Sequence, residues 1–280
     1  MRVMVAGAVA GCAVLLSGCV ANYTTMEFPT WTPEPNVTIT DAPTAIVQLP
    51  PDGGLDYQLG GAYEPPDGTA IVARDSTDTP APGLYNICYL NGFQSQPGEA
   101  GKWDGLLLED ANGPVTDPGW PDEFLLDTST PQNRKAIAEA LEPLMIGCQE
   151  AGFQAVEFDN LDSYTRSDGA LTQDDNLALA AEFVEIAHRA GLAAGQKNGA
   201  EIVAEGAARG FDFAVTEECG HYDECGVYQE HYATVLNIEY GTADEFRALC
   251  EAGTLPPQTV RRDRNLATPS DSEYVFERCD

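Results

Sequence analysis

The chain has 280 residues, with 45 acidic against 14 basic side chains and a formal net charge of −31. Nucleic-acid phosphates are held by basic surface, so this balance excludes a nucleic-acid partner. The acidity has two readings: a solvated surface that maintains solubility, or a field that draws in a cationic substrate.

In chain order, the first signal is at the N-terminus. Arg2 precedes an apolar run from Val3 to Leu16, and Leu16-Ser17-Gly18-Cys19 has the form of a bacterial lipobox. The run is shorter than the ~20 residues that a membrane-spanning helix needs. Residues 1–18 are therefore expected to be a lipoprotein signal peptide. Cleavage would leave Cys19 first, with a lipid on its thiol, and hold the protein on a membrane in an extracytoplasmic space. Residues 19–44 are rich in Thr and Pro without an apolar period, and read as a tether. Residues 45–280 then form one large domain, expected to act as a monomer.

Eight short β-rich runs follow: Leu55–Gly60, Thr69–Asp75, Tyr85–Phe93, Gln154–Asn160, Leu192–Asn198, Phe211–Glu218, Thr234–Tyr240 and Thr259–Arg264. Gly105–Asp110 is a further strand or a loop segment. Helical spacing marks Thr130–Ala151 and Leu171–Ala190, with shorter helices at Ala200–Arg209 and Thr242–Cys250. Thr172 and Asp175 stand where a capping box would, and Gly152, Gly191, Gly210 and Gly253 follow the helices as stop signals. Strand alternating with helix implies a parallel sheet, and eight strands in one domain point to a (β/α)₈ TIM-type barrel. The first two connections are too short for crossover helices, so the N-terminal crossovers must be irregular. The competing fold, a doubly wound open sheet, has no Gly-rich phosphate loop in its favour.

In such barrels the active site forms at the C-terminal ends of the strands. Here those ends carry Asp56 and Gln58, Arg74 and Asp75, Tyr89 and Asn91, Glu157, Asp159 and Asn160, Gln196, Lys197 and Asn198, Glu217 and Glu218, Glu239 and Tyr240, and Arg262 and Asp263. A single strand-terminal acid most often caps a loop. Several carboxylates brought into one cleft repel one another and shift their pKa values, which suits acid–base chemistry. Glycoside hydrolysis needs such a pair, one to protonate the leaving oxygen and one to attack the sugar or activate water. No G-x-S-x-G elbow occurs, His188 falls within a helix, and His221 within and His231 beyond the short Cys219–Cys225 loop could touch substrate. Tyr57, Tyr89, Phe93, Trp103, Tyr164, Tyr222 and Tyr240 fall at or near strand ends, as stacking platforms for sugar or as packing.

Outside the leader and Cys19, six cysteines remain: Cys88, Cys148, Cys219, Cys225, Cys250 and Cys279. An even count in an exported chain suggests disulfides, and many pairings are open. One set joins Cys219 to Cys225, Cys250 to Cys279 and, by remainder, Cys88 to Cys148. The alternative is zinc on Cys219, His221, Cys225 and His231; no C-x-x-C motif supports it, and no metal or cofactor is expected.

The runs GFQAVEFDNLDSYTRS (Gly152–Ser167), AHRAGLAAGQKN (Ala187–Asn198), FDFAVTEECGHYDEC (Phe211–Cys225) and NIEY (Asn237–Tyr240) resemble glycoside hydrolase family 114 over about residues 52 to 280. That resemblance implies a (β/α)₈ barrel and an endo-α-1,4-polygalactosaminidase, acting on a cationic polysaccharide of partly deacetylated galactosamine. It implies Asp159 and Glu217 as the acid pair, with Asp159 leaning to nucleophile and Glu217 to general acid/base. It implies Asp56, Gln58, Tyr89, Asn160, Lys197, Asn198, Glu218, Glu239 and Tyr240 as substrate-binding residues. Thr216 and Glu218 depart from the family's usual Asn and Gln; Glu218 sets two carboxylates side by side, of which strand alternation turns only one to the cleft.

Overall fold

The computed structural model describes residues 45–279; the signal peptide, Cys19 and the tether expected over 1–44 lie outside the described residues. Eight parallel strands pair in chain order: β1 (Gly54–Gln58), β2 (Thr69–Asp75), β3 (Tyr85–Asn91), β4 (Ala155–Asp159), β5 (Ala193–Lys197), β6 (Phe213–Glu217), β7 (Val235–Glu239) and β8 (Gln258–Arg262). A short antiparallel strand, β9 (Phe276–Arg278), follows on β8. The result is a nearly closed, mostly parallel, TIM-like barrel.

Five helices accompany the strands: α1 (Pro131–Ala151), α2 (Gln173–Arg189), α3 (Val203–Ala208), α4 (Cys225–Gln229) and α5 (Ala243–Ala252). Connections from β1 to β2 and from β2 to β3 contain no helix, as their lengths require. Thr130 caps α1 by accepting from the Asn133 backbone N–H at 3.1 Å, and Pro131 fits the first turn, where no donor is needed. Gly152, at φ 102°, ends it. The capping box at Thr172 and Asp175 is formed, and Thr242 and Glu245 build a second one. Two expectations are refined, and two elements are new. Gly105–Asp110 supplies only Glu109–Asp110 to a tiny hairpin with Gly113–Pro114. The helix expected over Ala200–Arg209 is split into a 3₁₀ turn, Ala200–Ile202, and α3. Both α4 and β9 are too short to show a period in sequence.

Strand alternation sorts the side chains into two layers. Leu55, Ile71, Ile87, Ala155, Phe213 and Leu236 point inward and fill the barrel floor. Cys88, Leu90, Val156 and Phe158 point outward against α1 and α2. Gly195 is required inside: a Cβ there would lie 2.5 Å from the Phe213 ring, which crosses the barrel at that level.

The parallel ladder does not run on from β8 to β1. Two arginines bridge that seam. Arg262, 0% exposed, donates to Asp56 Oδ1 at 3.3 Å, to the Tyr57 carbonyl, to Val275 O at 2.8 Å and to Ala267 O at 2.8 Å. Arg278 donates to Leu55 O at 3.2 Å and to Thr69 Oγ1 at 2.5 Å.

Three disulfides join Cys88–Cys148, Cys219–Cys225 and Cys250–Cys279. The first ties β3 to α1, the second closes the loop after β6, and the third fastens the tail beyond β9 to α5. Such bonds persist in oxidising surroundings, outside the cytoplasm. With Cys219 and Cys225 bonded to each other, their thiolates are not free for the zinc set. No described helix is long and apolar enough to cross a membrane.

Candidate active site

A cleft of about 740 Å³ opens at the C-terminal mouth of the barrel. Asp159, Lys197 and Glu217 are the last residues of β4, β5 and β6, and all three line it. Parity explains their direction: each lies an even number of residues beyond a floor residue of its own strand or, for Lys197, beyond Ala193, which packs inside. The next residue in each case has left-handed backbone: Asn160 (φ 67°), Asn198 (φ 52°) and Glu218 (φ 59°). Asn tolerates that conformation well, whereas Glu is less at home there. The same sharp turn thus ends three neighbouring strands at the residue that faces the cleft.

Lys197, with its side chain 3% exposed, holds the two acids together. Its Nζ lies 3.3 Å from Asp159 Oδ1 and 3.1 Å from Glu217 Oε2. Tyr89 Oη donates to Asp159 Oδ2 at 2.7 Å, and the Asn160 N–H to Oδ1 at 2.9 Å. Tyr240 Oη donates to Glu217 Oε1 at 2.5 Å. Asn198 grips Glu217 twice, donating from Nδ2 to Oε2 at 3.0 Å and accepting its backbone N–H at 2.8 Å. Burial works against charge at Glu217, but Lys197 and then the hydrogen bonds from Tyr240 and Asn198 prevail and hold its pKa down at about 2. Burial likewise works against the Lys197 ammonium, yet Asp159, Glu217 and Glu157 outweigh it and keep its pKa well above the usual range. The resting cleft therefore contains an ionised Glu217 and a protonated Lys197 at neutral pH.

One wall of the cleft comes from the long segment between β3 and α1. Trp120 stands there, 63% exposed. Glu123 beside it accepts from Asn91 Nδ2 at 2.9 Å, and Asn91 in turn accepts from Asn160. Burial pushes Glu123 up to about 7; Asn91 and Arg166 oppose this, and Asp159 and Asp117 add to it. Arg166 pairs with Asp117 at 2.5 Å and with Asp162 at 3.0 Å, and donates to Asn160 Oδ1 at 3.1 Å. Sequence reasoning missed Trp120, Glu123 and Asp117, because this segment has no period to register them. The opposite wall carries Arg264, whose guanidinium lies over the Tyr240 ring at 5.1 Å.

Of the residues expected to bind substrate, Tyr89, Asn160, Lys197, Asn198 and Tyr240 line this cleft. Four do not reach it. Asp56 and Gln58, both 0% exposed, point out of the barrel, because Leu55 and Tyr57 take the inward parity on β1. Gln58 Nε2 bonds Asp56 Oδ2 at 2.6 Å, and Arg74 Nε bonds Gln58 Oε1 at 2.9 Å. Glu218 turns away from Glu217 and accepts from Arg264 Nη2 with both oxygens, at 3.0 and 2.9 Å. Glu239 braces the Cys219–Cys225 loop, accepting from the Gly220 N–H at 2.8 Å and Asn237 Nδ2 at 2.9 Å. His221 and His231 are exposed outside the cleft lining, and His188 binds Asp212 at 2.9 Å. Among the aromatics, Tyr57 joins Tyr89 and Tyr240 in the cleft, whereas Phe93 and Trp103 are buried in the helical layer. Among the described residues, no group of three or more His, Cys, Asp or Glu could hold a metal ion.

Comparison with known proteins agrees with this architecture. No curated protein matches by sequence. The crystal structure of Aspergillus fumigatus Ega3 in complex with galactosamine superposes with a TM-score of 0.65 at 22% identity, over 83% of this chain and 98% of that one. The glycoside hydrolase domain of PelA from Pseudomonas aeruginosa superposes with a TM-score of 0.54 at 17% identity, over 79% and 97%. At these identities the likeness is one of fold. Residues 36–280 match the family model described as glycoside-hydrolase family GH114, and the chain belongs to that family.

Proposed function

We propose that this protein hydrolyses internal α-1,4-linked galactosamine bonds in a cationic exopolysaccharide, with Asp159 and Glu217 as its acid pair and Cys19 as its lipid anchor. The observation that carries the reading is the sharing of one buried ammonium by two inward carboxylates at the open end of the barrel. Family membership supports hydrolysis of a glycosidic bond. The galactosamine in the Ega3 complex supports the sugar. So does the charge of the cleft, where six carboxylates (Asp75, Asp117, Glu123, Asp159, Asp162 and Glu217) face three basic side chains. Tyr89, Asn160, Asn198 and Tyr240 orient the pair and border the sugar.

Two carboxylates that touch the same Nζ are close-set. That spacing favours the retaining mechanism, in which one attacks the sugar and the other serves as acid and then base; an inverting pair stands further apart to admit a water. An ionised Glu217 can act as general acid only after substrate displaces its donors and excludes water, which raises its pKa. An activated leaving group needs no proton, so it separates the roles. With Asp159 as nucleophile, Glu217→Gln regains glycosidic cleavage on an activated substrate and Asp159→Asn does not; the opposite pattern exchanges the roles.

The test of substrate is release of short oligomers from purified α-1,4-galactosamine polymer, beside its fully N-acetylated form and neutral glycans. Release from the deacetylated polymer, weakening as salt screens the acidic cleft, supports the proposal. Retention of the polymer without release makes the protein a binding module, and release from another glycan alone replaces the sugar.

A further inference from the structure

The barrel floor is topped by a carboxyl that the acid pair does not use. Glu157 lies two residues before Asp159 on β4, on the same inward face, and is 0% exposed. Tyr57 Oη donates to its Oε1 at 2.5 Å, while Oε2 has no partner. An ionised carboxylate in so dry a place, with one donor, is costly. A buried polar atom without a partner calls for a physical explanation. An amide or a methionine would fill the volume without a charge to settle.

The surroundings supply the explanation. Tyr57 faces Glu157 from β1 and Tyr89, its register partner, from β3. Asp159 lies above it on β4, with Lys197 from β5 and Glu217 from β6. Lys197 is the only cation among these groups, and its ammonium already touches both acids of the pair. We propose that Glu157 is a positioning residue: neutral, it leaves Lys197 to Asp159 and Glu217, and ionised, it competes with them for that ammonium. The titration lies in a useful range. Burial, assisted by Asp159 and Glu217 and opposed by Lys197 and Tyr57, pushes Glu157 up to about 7. Activity is then limited on the alkaline side by this carboxyl, through the loosening of Lys197 from the pair. The inference rests on Asp159 and Glu217 being that pair, and its first test needs no substrate.

Buried, protonated carboxyls should give infrared carbonyl absorption in the wild type at pH 5 that bleaches as pH rises through 7; Glu123 titrates in the same range, so the Glu157 band is the component that Glu157→Gln loses and Glu123→Gln keeps. The second readout is kcat against pH on the galactosamine polymer. Glu157→Gln should keep its acid-side kcat and carry its plateau at least about one unit further into alkali. If Glu157→Gln does not fold, Tyr57→Phe reads the same coupling: loss of that donor raises the Glu157 pKa and moves the alkaline limb upward. A wild type without such absorption, a Glu157→Gln variant that loses no component of it, or an alkaline limb that stays in place in the folded variant overturns the proposal. Failure of the polymer to be cut by the wild type counts against the proposed function instead, because the infrared titration still stands or falls alone.

Discussion

Two buried clusters of charge sit within one barrel, and they are built in opposite ways. At the seam between β8 and β1, Arg262 is 0% exposed and spends its donors on Asp56 and three backbone carbonyls, while Asp56 also receives Tyr63 and Gln58. Arg262 and Asp56 are there matched by fixed partners. At the mouth, one ammonium serves two carboxylates, a third carboxyl beneath it has an orphan oxygen, and the group opens onto a cleft of about 740 Å³. A saturated cluster closes a fold. An undersupplied one, facing solvent, has interactions left for a ligand or a transition state.

The comparison can be broken by exchanging the consequences of mutation. The largest expected effect is at the mouth: Glu217→Gln should lower turnover on the order of 10²–10⁴-fold in protein that is still folded at the assay temperature. Arg262→Met should do the reverse. It strands Asp56 in a dry seam at a cost of about 3–5 kcal/mol, read by denaturant unfolding, while the folded fraction keeps its kcat.

Within the mouth, two carboxyls should couple to pH with opposite sign. Glu217 is depressed to about 2 from 4.5, so its contribution to stability is present above pH 4.5 and is lost as pH falls toward 2. Glu157 is raised to about 7 from 4.5; folded protein keeps a proton that unfolded chain releases, so stability falls as pH rises through that window. Unfolding midpoints of Glu217→Gln and Glu157→Gln against pH should diverge from wild type in these two directions. The smallest effect is at the rim: Trp120→Ala should raise KM by roughly tenfold at most, as for one lost stacking contact, and leave kcat alone.

Much of this was legible in the residues. Asp159, Lys197 and Glu217 end strands whose alternation is clean, and the glycines after the helices mark the strand starts. Strand parity on β1 was not legible. A shift of one residue exchanges the faces of a strand, and Leu55-Asp56-Tyr57-Gln58 offers apolar and polar residues to either side. Thus Asp56 and Gln58 went to the seam and Tyr57 to the cleft. Glu218 and Glu239 were misplaced because their tasks, an ion pair with Arg264 and the bracing of a disulfide loop, arise only from tertiary packing. Trp120 and Glu123 lie in a segment held by scattered bridges such as Gln94–Leu125 and Thr116–Phe124, which have no periodic signature.

The most direct test of the account is oligomer release from purified α-1,4-galactosamine polymer by the wild type and by Asp159→Asn, with unfolding midpoints recorded for both. The account predicts short oligomers from the wild type alone and equal midpoints. Cleavage by Asp159→Asn at a near wild-type rate would contradict it, because the undersupplied cluster would then not be where the bond is broken.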